Sequence, residues 1–260
     1  MIGGIDALAG GNGNDGFFFG ADGNLTAADR IDGGAGIDTI ALRGDHSGAN
    51  AIAFDAASFT GIEILTFLSS HSNEYGGQIL ASGFNYDVTL ADANLAPGAS
   101  LDVIAGNLRS DETFRFDGRA ETNGSLRIIS GAGDDTLFGG SGSDTLYGGL
   151  GADRIDGGGG ADSYVFRSAL DSTAASLDTS AFEAVDRIDL SLIDAVDGAP
   201  ANQAFAFIGS AAFSNSAGEL RAWQSGASWL VEGDVDGDGT ADFVLTVTAA
   251  APLTVFDFVL

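Results

Sequence analysis

Cysteine and lysine are both missing from this chain of 260 residues, which has 3 prolines, 2 histidines and 1 methionine. Without cysteine there is no disulfide framework, no thiolate metal centre and no thiol nucleophile. His46 and His71 are too few for a histidine-rich zinc site. Neither is followed by glutamate in the H-E-x-x-H order of a zinc peptidase. A G-x-S-x-G elbow is also absent, since the GGSGS around Ser141 lacks its last glycine. No apolar run approaches the roughly 18 residues of a membrane helix. The opening Met1-Ile2-Gly3-Gly4 has neither the basic nor the apolar segment of a cleaved leader. With so little proline, the 40 glycines fit neither collagen nor a proline-rich linker.

What the chain has in excess is acid. Asp and Glu number 37 against 10 arginines, a formal net charge of −27, and 30 of the acids are Asp. Such a polyanion does not bind nucleic acid or an anionic membrane unaided. It also resists compaction unless cations neutralise it. At 45% hydrophobic it can still bury a core. Short Asp carboxylates in a glycine-rich chain point to turn-borne ligands for a hard cation such as calcium.

The acids are phased. From Ser130 the chain reads SGAGDDTLF, GGSGSDTLY, GGLGADRID and GGGGADSYV. The sixth positions are Asp135, Asp144, Asp153 and Asp162, and Asp171 keeps the phase after the glycines end. The eighth positions are apolar or aromatic: Leu137, Leu146, Ile155 and Tyr164. A rougher array near the start places Asp6 and Asp15 nine apart, followed by Asn24, then Asp29 and Asp38, with Leu8, Phe17, Ile31 and Ile40 as inward candidates. Gly4, Asp6 and Leu8 fit positions four, six and eight, which predicts that the sequence was cut from a longer chain. Glycine-rich hexads turn through backbone angles that a Cβ forbids, and the next three residues form a minimal strand. Two such units make one coil of a parallel β-roll. The coils fold only as a stack, with turn carbonyls and Asp carboxylates surrounding a cation.

These nonamers resemble the calcium-binding GGxGxDxUx repeats of the RTX (repeats-in-toxin) family. The resemblance implies Ca²⁺ ligands at positions one to four and six. In the main array these are Gly131, Ala132, Gly133 and Asp135; Gly139, Gly140, Ser141, Gly142 and Asp144; Gly148, Gly149, Leu150, Gly151 and Asp153; and Gly157, Gly158, Gly159, Gly160 and Asp162. Asp171 extends it. The first array adds Asp6, Gly10, Gly11, Asn12, Gly13, Asp15, Asp29, Gly33, Gly34, Ala35, Gly36 and Asp38.

The organisation expected is residues 1–41 as RTX-like repeats, 42–129 as degenerate solenoid, 130–165 as the nonapeptide array and 166–260 as a β-rich cap. Short alternating strands at Ile62–Leu65, Val88–Leu90, Leu101–Val103, Phe114–Phe116 and Leu126–Ile128 support solenoid coils with wider turns. A β-sandwich inserted between two short rolls is the alternative. The order RIDLSLIDA, AFAFIGSAAF, AGELRAW and GDVDGDGTADF, along nearly all of 164–260, resembles the C-terminal domain of serralysin-type metalloproteases. In that family the domain caps the roll and carries an uncleaved signal for type I secretion through an ABC transporter. Asp257-Phe258-Val259-Leu260 is like that signal's end, although a final edge strand would look the same. Asp234, Asp236, Asp238 and Asp242 fit a calcium loop with Gly239 at position six, but position twelve is Leu245; an acidic hairpin turn is the other reading. Trp223 and Trp229, flanking Ser225-Gly226, read as a cross-strand aromatic pair. Carboxylate pairs such as Asp134 and Asp135 follow from the repeat phase, so no catalysis is expected. The function expected is calcium-driven folding after secretion, in the non-catalytic part of a larger exoprotein whose passenger lies N-terminal. A stand-alone polysaccharide-binding or surface-layer module with a glycan partner is the competing reading.

Overall fold

The computed structural model describes residues 6–20, 25–26, 28–73, 79 and 82–260. Gly4 and Asn24, two of the phased positions above, lie outside the described residues. The chain is almost all β, with 3-10 turns as the helical elements among the described residues. None of these helices is long and apolar enough to cross a membrane.

The first strands are β1 (Ala7–Asn12), β2 (Gly16–Phe19), β3 (Arg30–Ala35), β4 (Thr39–Leu42), β5 (Ile52–Ala53), β6 (Phe59–Thr60) and β7 (Ile64–Phe67). Next come β8 (Tyr86–Thr89), β9 (Ser100–Ile104), β10 (Phe114–Asp117) and β11 (Ser125–Ile129). The nonamers supply β12 (Thr136–Phe138), β13 (Thr145–Tyr147), β14 (Arg154–Asp156) and β15 (Ser163–Val165). After them run β16 (Asp178–Phe182), β17 (Arg187–Asp189), β18 (Ala206–Phe207), β19 (Glu219–Ser225), β20 (Ser228–Asp234), β21 (Phe243–Ala249) and β22 (Phe258–Val259).

From β8 to β17 the chain alternates between two sheets, as a coil of two strands must. One sheet of nine strands runs β2-β4-β7-β9-β11-β13-β15-β17-β22, parallel throughout. The other, of ten strands, is parallel from β5 to β21; there β19 and β20 add an antiparallel hairpin. A third sheet, β1-β3-β6, covers the first coils. Residues 42–129 thus contribute strands to the same nine- and ten-stranded sheets as the nonamers. This parallel two-sheet arrangement is a β-roll.

The register stacks like on like. Leu126, Ile128 and Leu146 lie in the inner rows of one sheet, and Phe116, Leu137 and Ile155 in those of the other. All of them are buried in one hydrophobic core, together with Tyr164 at the eighth position of the last nonamer. Ile31 and Ile40 join that core, while Leu8 and Phe17, at the open end of the stack, are only partly buried. A nonamer strand of three residues gives the core one side chain, so each coil contributes two, one from each sheet, and depends on its neighbours above and below. In the hairpin the register sets Trp223 opposite Leu230 and Trp229 opposite Gln224. The two indoles therefore face opposite sides and do not form the expected pair; a one-residue offset between strands reverses facing. Trp223 instead donates its indole N–H to Glu232 at 2.7 Å.

Candidate metal centre

Each nonamer crosses from one sheet to the other in six residues. Turns 130–135 and 148–153 stack on one flank of the roll, and turns 139–144 and 157–162 on the other. Neighbouring turns come so close that side chains are excluded between them. A Cβ on Gly149 would stand 1.8 Å from the carbonyl oxygen of Gly131, and one on Gly151 2.3 Å from that of Gly133. Both glycines have positive φ, +97° and +125°, which an L side chain rarely adopts. The sequence GGLG at 148–151 thus places the carbonyls of one turn against the backbone of the next.

The sixth-position acids link successive coils. Asp135 N–H donates to Asp153 Oδ1 at 2.9 Å, and Asp153 N–H to Asp178 Oδ1 at 2.8 Å. On the opposite flank Asp144 N–H donates to Asp162 Oδ1 at 2.9 Å, and Asp162 N–H to Asp186 Oδ1 at 3.1 Å. The ladder begins with Phe114 N–H on Asp135 Oδ1 and Leu126 N–H on Asp144 Oδ1, both at 2.7 Å. The first array repeats the device: Asp6 N–H on Asp29, Asp15 N–H on Asp38 and Asp38 N–H on Glu63.

One oxygen of each acid is therefore committed to the ladder, and the other decides the chemistry. In the glycine-rich turns it lies over the first glycine of its own turn, where a Cβ on Gly148 would be 2.2 Å from Asp153 Oδ2 and one on Gly157 2.1 Å from Asp162 Oδ2. In Asp15, Asp38, Asp153, Asp162 and Asp178 this Oδ2 is buried and has no hydrogen-bond partner. Asp135 and Asp144 differ, because Ser130 Oγ and Gly140 N–H respectively donate to their second oxygens. Burial pushes the Asp135 and Asp144 carboxyls up to about 6, Asp162 to about 7, Asp153 to about 8 and Asp178 to about 9, with the Asp153 charge adding to the effect on Asp178. A buried carboxylate without donors is strongly unfavourable and is relieved by a proton or a cation. Hard, charged, unpartnered oxygens beside stacked turn carbonyls are the donor set of calcium. The residues fit the ion.

Several acids stand elsewhere than the phase predicts. Asp171 keeps the nine-residue count but not the role: its carboxylate accepts from Arg167 and Ser168 N–H at 2.7 and 3.2 Å, capping a 3-10 turn. The ladder passes instead to Asp178 and Asp186, 25 and 24 residues after Asp153 and Asp162. A fixed nonamer period cannot find them, because the connection 166–177 before β16 is longer than a nonamer turn and shifts both acids out of phase. Asp29 is satisfied by Thr26 N–H at 2.7 Å on its second oxygen. In the hairpin loop, Asp234, Asp236 and Asp242 bring oxygens within 4.8 Å of one another, with Asp238 outside the trio. Their own loop already supplies donors: Gly237 and Gly239 N–H to Asp234, and Val235 N–H to Asp242.

The family model of the RTX calcium-binding nonapeptide repeat matches residues 26–44 and 129–164, in 4 copies. No curated protein matches the chain. The matched segments contain the turns whose buried acids lack donors, apart from the 10–15 turn of the first coil and the later Asp178. The calcium-binding repeats of this β-roll are of the RTX type.

Proposed function

We propose that the chain is a calcium-dependent folding module of a secreted protein and has no catalytic site of its own. The observation that carries this reading is the set of buried Oδ2 atoms without donors, on Asp15, Asp38, Asp153, Asp162 and Asp178. In calcium-poor surroundings those oxygens oppose the winding of the glycine-turn coils, and the charge of −27 keeps those coils expanded, a state suited to a narrow export channel. Bound Ca²⁺ supplies the positive charge and the coordination that these oxygens lack. The residues that would hold it are the sixth-position acids and the turn carbonyls stacked against them, such as those of Gly131 and Gly133. Extracellular calcium modules have Kd values of about 10⁻⁴ to 10⁻³ M, so millimolar calcium fills sites left empty at cytosolic levels. A site at ten times its Kd adds roughly 1.4 kcal/mol, and several coupled sites approach the whole stability of a domain.

Export through a type I ABC transporter, with residues 166–260 as the serralysin-like cap and signal, belongs to the same proposal, and so does a passenger joined to this module. Phe258 and Val259 pair with β17 as the last strand of the nine-stranded sheet, so the chain end completes the roll as well as resembling the signal. Far-UV circular dichroism of the full chain in calcium and in EDTA tests the folding claim: a large gain of β signal in calcium is expected, and equal spectra overturn it. Deleting the final strand should abolish export from a host with the transporter, and undiminished export would remove the signal from the proposal.

A further inference from the structure

The coil before the repeats carries glutamate where the repeats carry aspartate, on both flanks of the roll. Glu112 ends the turn beneath 130–135, and Glu121 lies in the turn beneath 139–144; each is fully buried. Their hydrogen bonding differs. Glu112 Oε1 accepts from Ser70 N–H at 2.7 Å and Phe84 N–H at 3.0 Å, and Oε2 from Arg109 N–H at 3.0 Å. Glu121 Oε1 accepts from Asn123 and Gly124 N–H at 2.9 and 2.7 Å. Its Oε2 is buried and has no partner.

Turn 118–124 is stacked against a calcium-type turn in the same way as the repeats against one another. Gly118 N–H donates to the Phe138 carbonyl and Ser141 N–H to the Glu121 carbonyl, both at 2.9 Å. A Cβ on Gly142 would stand 1.8 Å from the Gly124 carbonyl oxygen. Asp144 reaches down into this coil through its bond from Leu126 N–H, two residues past Gly124. The stacked turns thus carry an unpartnered carboxylate oxygen, a turn carbonyl and a sixth-position acid, and the Glu121 charge acts on Asp144. These are the oxygen types found between the repeats, where calcium takes about six to eight ligands.

We propose that Glu121 is a calcium ligand, and that the gap between turns 118–124 and 139–144 is a further cation site one coil ahead of the matched repeats. The proposal rests on the calcium reading above and extends it to a residue outside the nonapeptide pattern. Such a site joins the array to a coil held by ordinary hydrogen bonds. Glu112, with both oxygens satisfied, needs no ion and serves as the internal control.

The experiment counts ions on the full chain by equilibrium dialysis against CaCl₂, for wild type, Glu121→Gln and Glu112→Gln. Loss of one ion in Glu121→Gln, with the wild-type count kept in Glu112→Gln, is the expected result. An unchanged count in Glu121→Gln, or an equal loss in both variants, overturns the site. Calcium-free wild type at millimolar calcium would instead overturn the folding-module reading on which it rests. Should Glu121→Gln fail to fold, terbium soaked into wild-type crystals decides. An anomalous peak about 2.3–2.6 Å from Glu121 Oε2 supports the site, and peaks beside Asp153 and Asp162 with none at Glu121 overturn it.

Discussion

The coils of β8 to β10 and those of β12 to β15 share two sheets and one core, yet their turns are held by different means. In the earlier coils the turns are long and bring their own donors. Tyr86 donates its hydroxyl to the Leu68 carbonyl at 2.7 Å, Asn94 Nδ2 donates to the Asp55 carbonyl at 2.9 Å, and Glu112 collects three backbone N–H groups. The core there is aromatic, with Phe67 against Tyr86 and Phe114 at centroid distances of 5.2 and 4.9 Å. The nonamer coils have strands of three residues, one inward side chain each and glycine-rich turns. Their buried acids outnumber the donors at hand. A short turn with few donors leaves some of its carboxylate oxygens to an external cation, whereas Glu112 finds its donors in its own turn and in the coil before it.

The largest expected effect comes from removing calcium. In EDTA near pH 8, backbone amides of β12 to β15 should lose hydrogen-exchange protection while those of β7 to β9 keep it; uniform loss along the roll would erase the distinction. Next in size is Phe114→Ala, which empties a buried aromatic site and should destabilise the chain by about 3–5 kcal/mol with or without calcium. Denaturant melts in both conditions would show this, and a calcium-dependent difference would count against a self-sufficient middle.

Asp153→Asn should reverse sign between conditions. Its amide oxygen can still accept from Asp135 N–H, but it removes a buried charge beside Asp135 and Asp178. The variant should need several-fold more calcium to fold, and in EDTA at pH 8 it should be more folded than wild type. The same sign in both conditions would sink this account of the orphan oxygen.

Acidity sharpens the contrast further. Asp153 and Asp178 titrate near 8 and 9 in the calcium-free roll, above the ordinary carboxylate value near 3.9, so between those values the folded state holds more protons than the unfolded one. Stability of the calcium-free array should fall as pH rises from about 5 to 9, read as lost β signal. Asp117 behaves in the opposite way, because Arg119, with Arg115 beside it, holds its carboxyl down to about 2. What it contributes is present above pH 4 and is lost as pH falls towards 2. Arg119→Ala should be the smallest effect, a shift of the melt that is minor beside that of Phe114→Ala, because this ion pair lies at an exposed arginine. A melt shifted as far as by Phe114→Ala would mean that the Arg119 contact with the Phe138 ring, 4.4 Å from its centroid, matters more than the pair.

The nonamers were readable because glycine, Asp and one apolar residue must recur at fixed offsets for turns to stack. Leu137, Leu146, Ile155 and Tyr164 are all buried as their phase requires. Asp178 and Asp186 escape that reading because the ladder needs only a carboxylate at the right height, and longer turns can deliver one after 24 or 25 residues. Glu63, Glu112 and Glu121 escape it for a related reason, being acids one methylene longer on turns of irregular length. The facing of Trp223 and Trp229 depends on a hairpin offset that composition does not encode.

The acid ladder has a direction. In every rung described, the carboxylate of the later coil accepts from the backbone of the earlier one: Asp38 from Asp15, Asp153 from Asp135, Asp186 from Asp162. If the chain is exported as proposed and its C-terminal end emerges first, each acceptor is presented before the amide it will receive. Winding can then begin at the distal end and advance toward the portal, each completed loop being the template on which the next is laid.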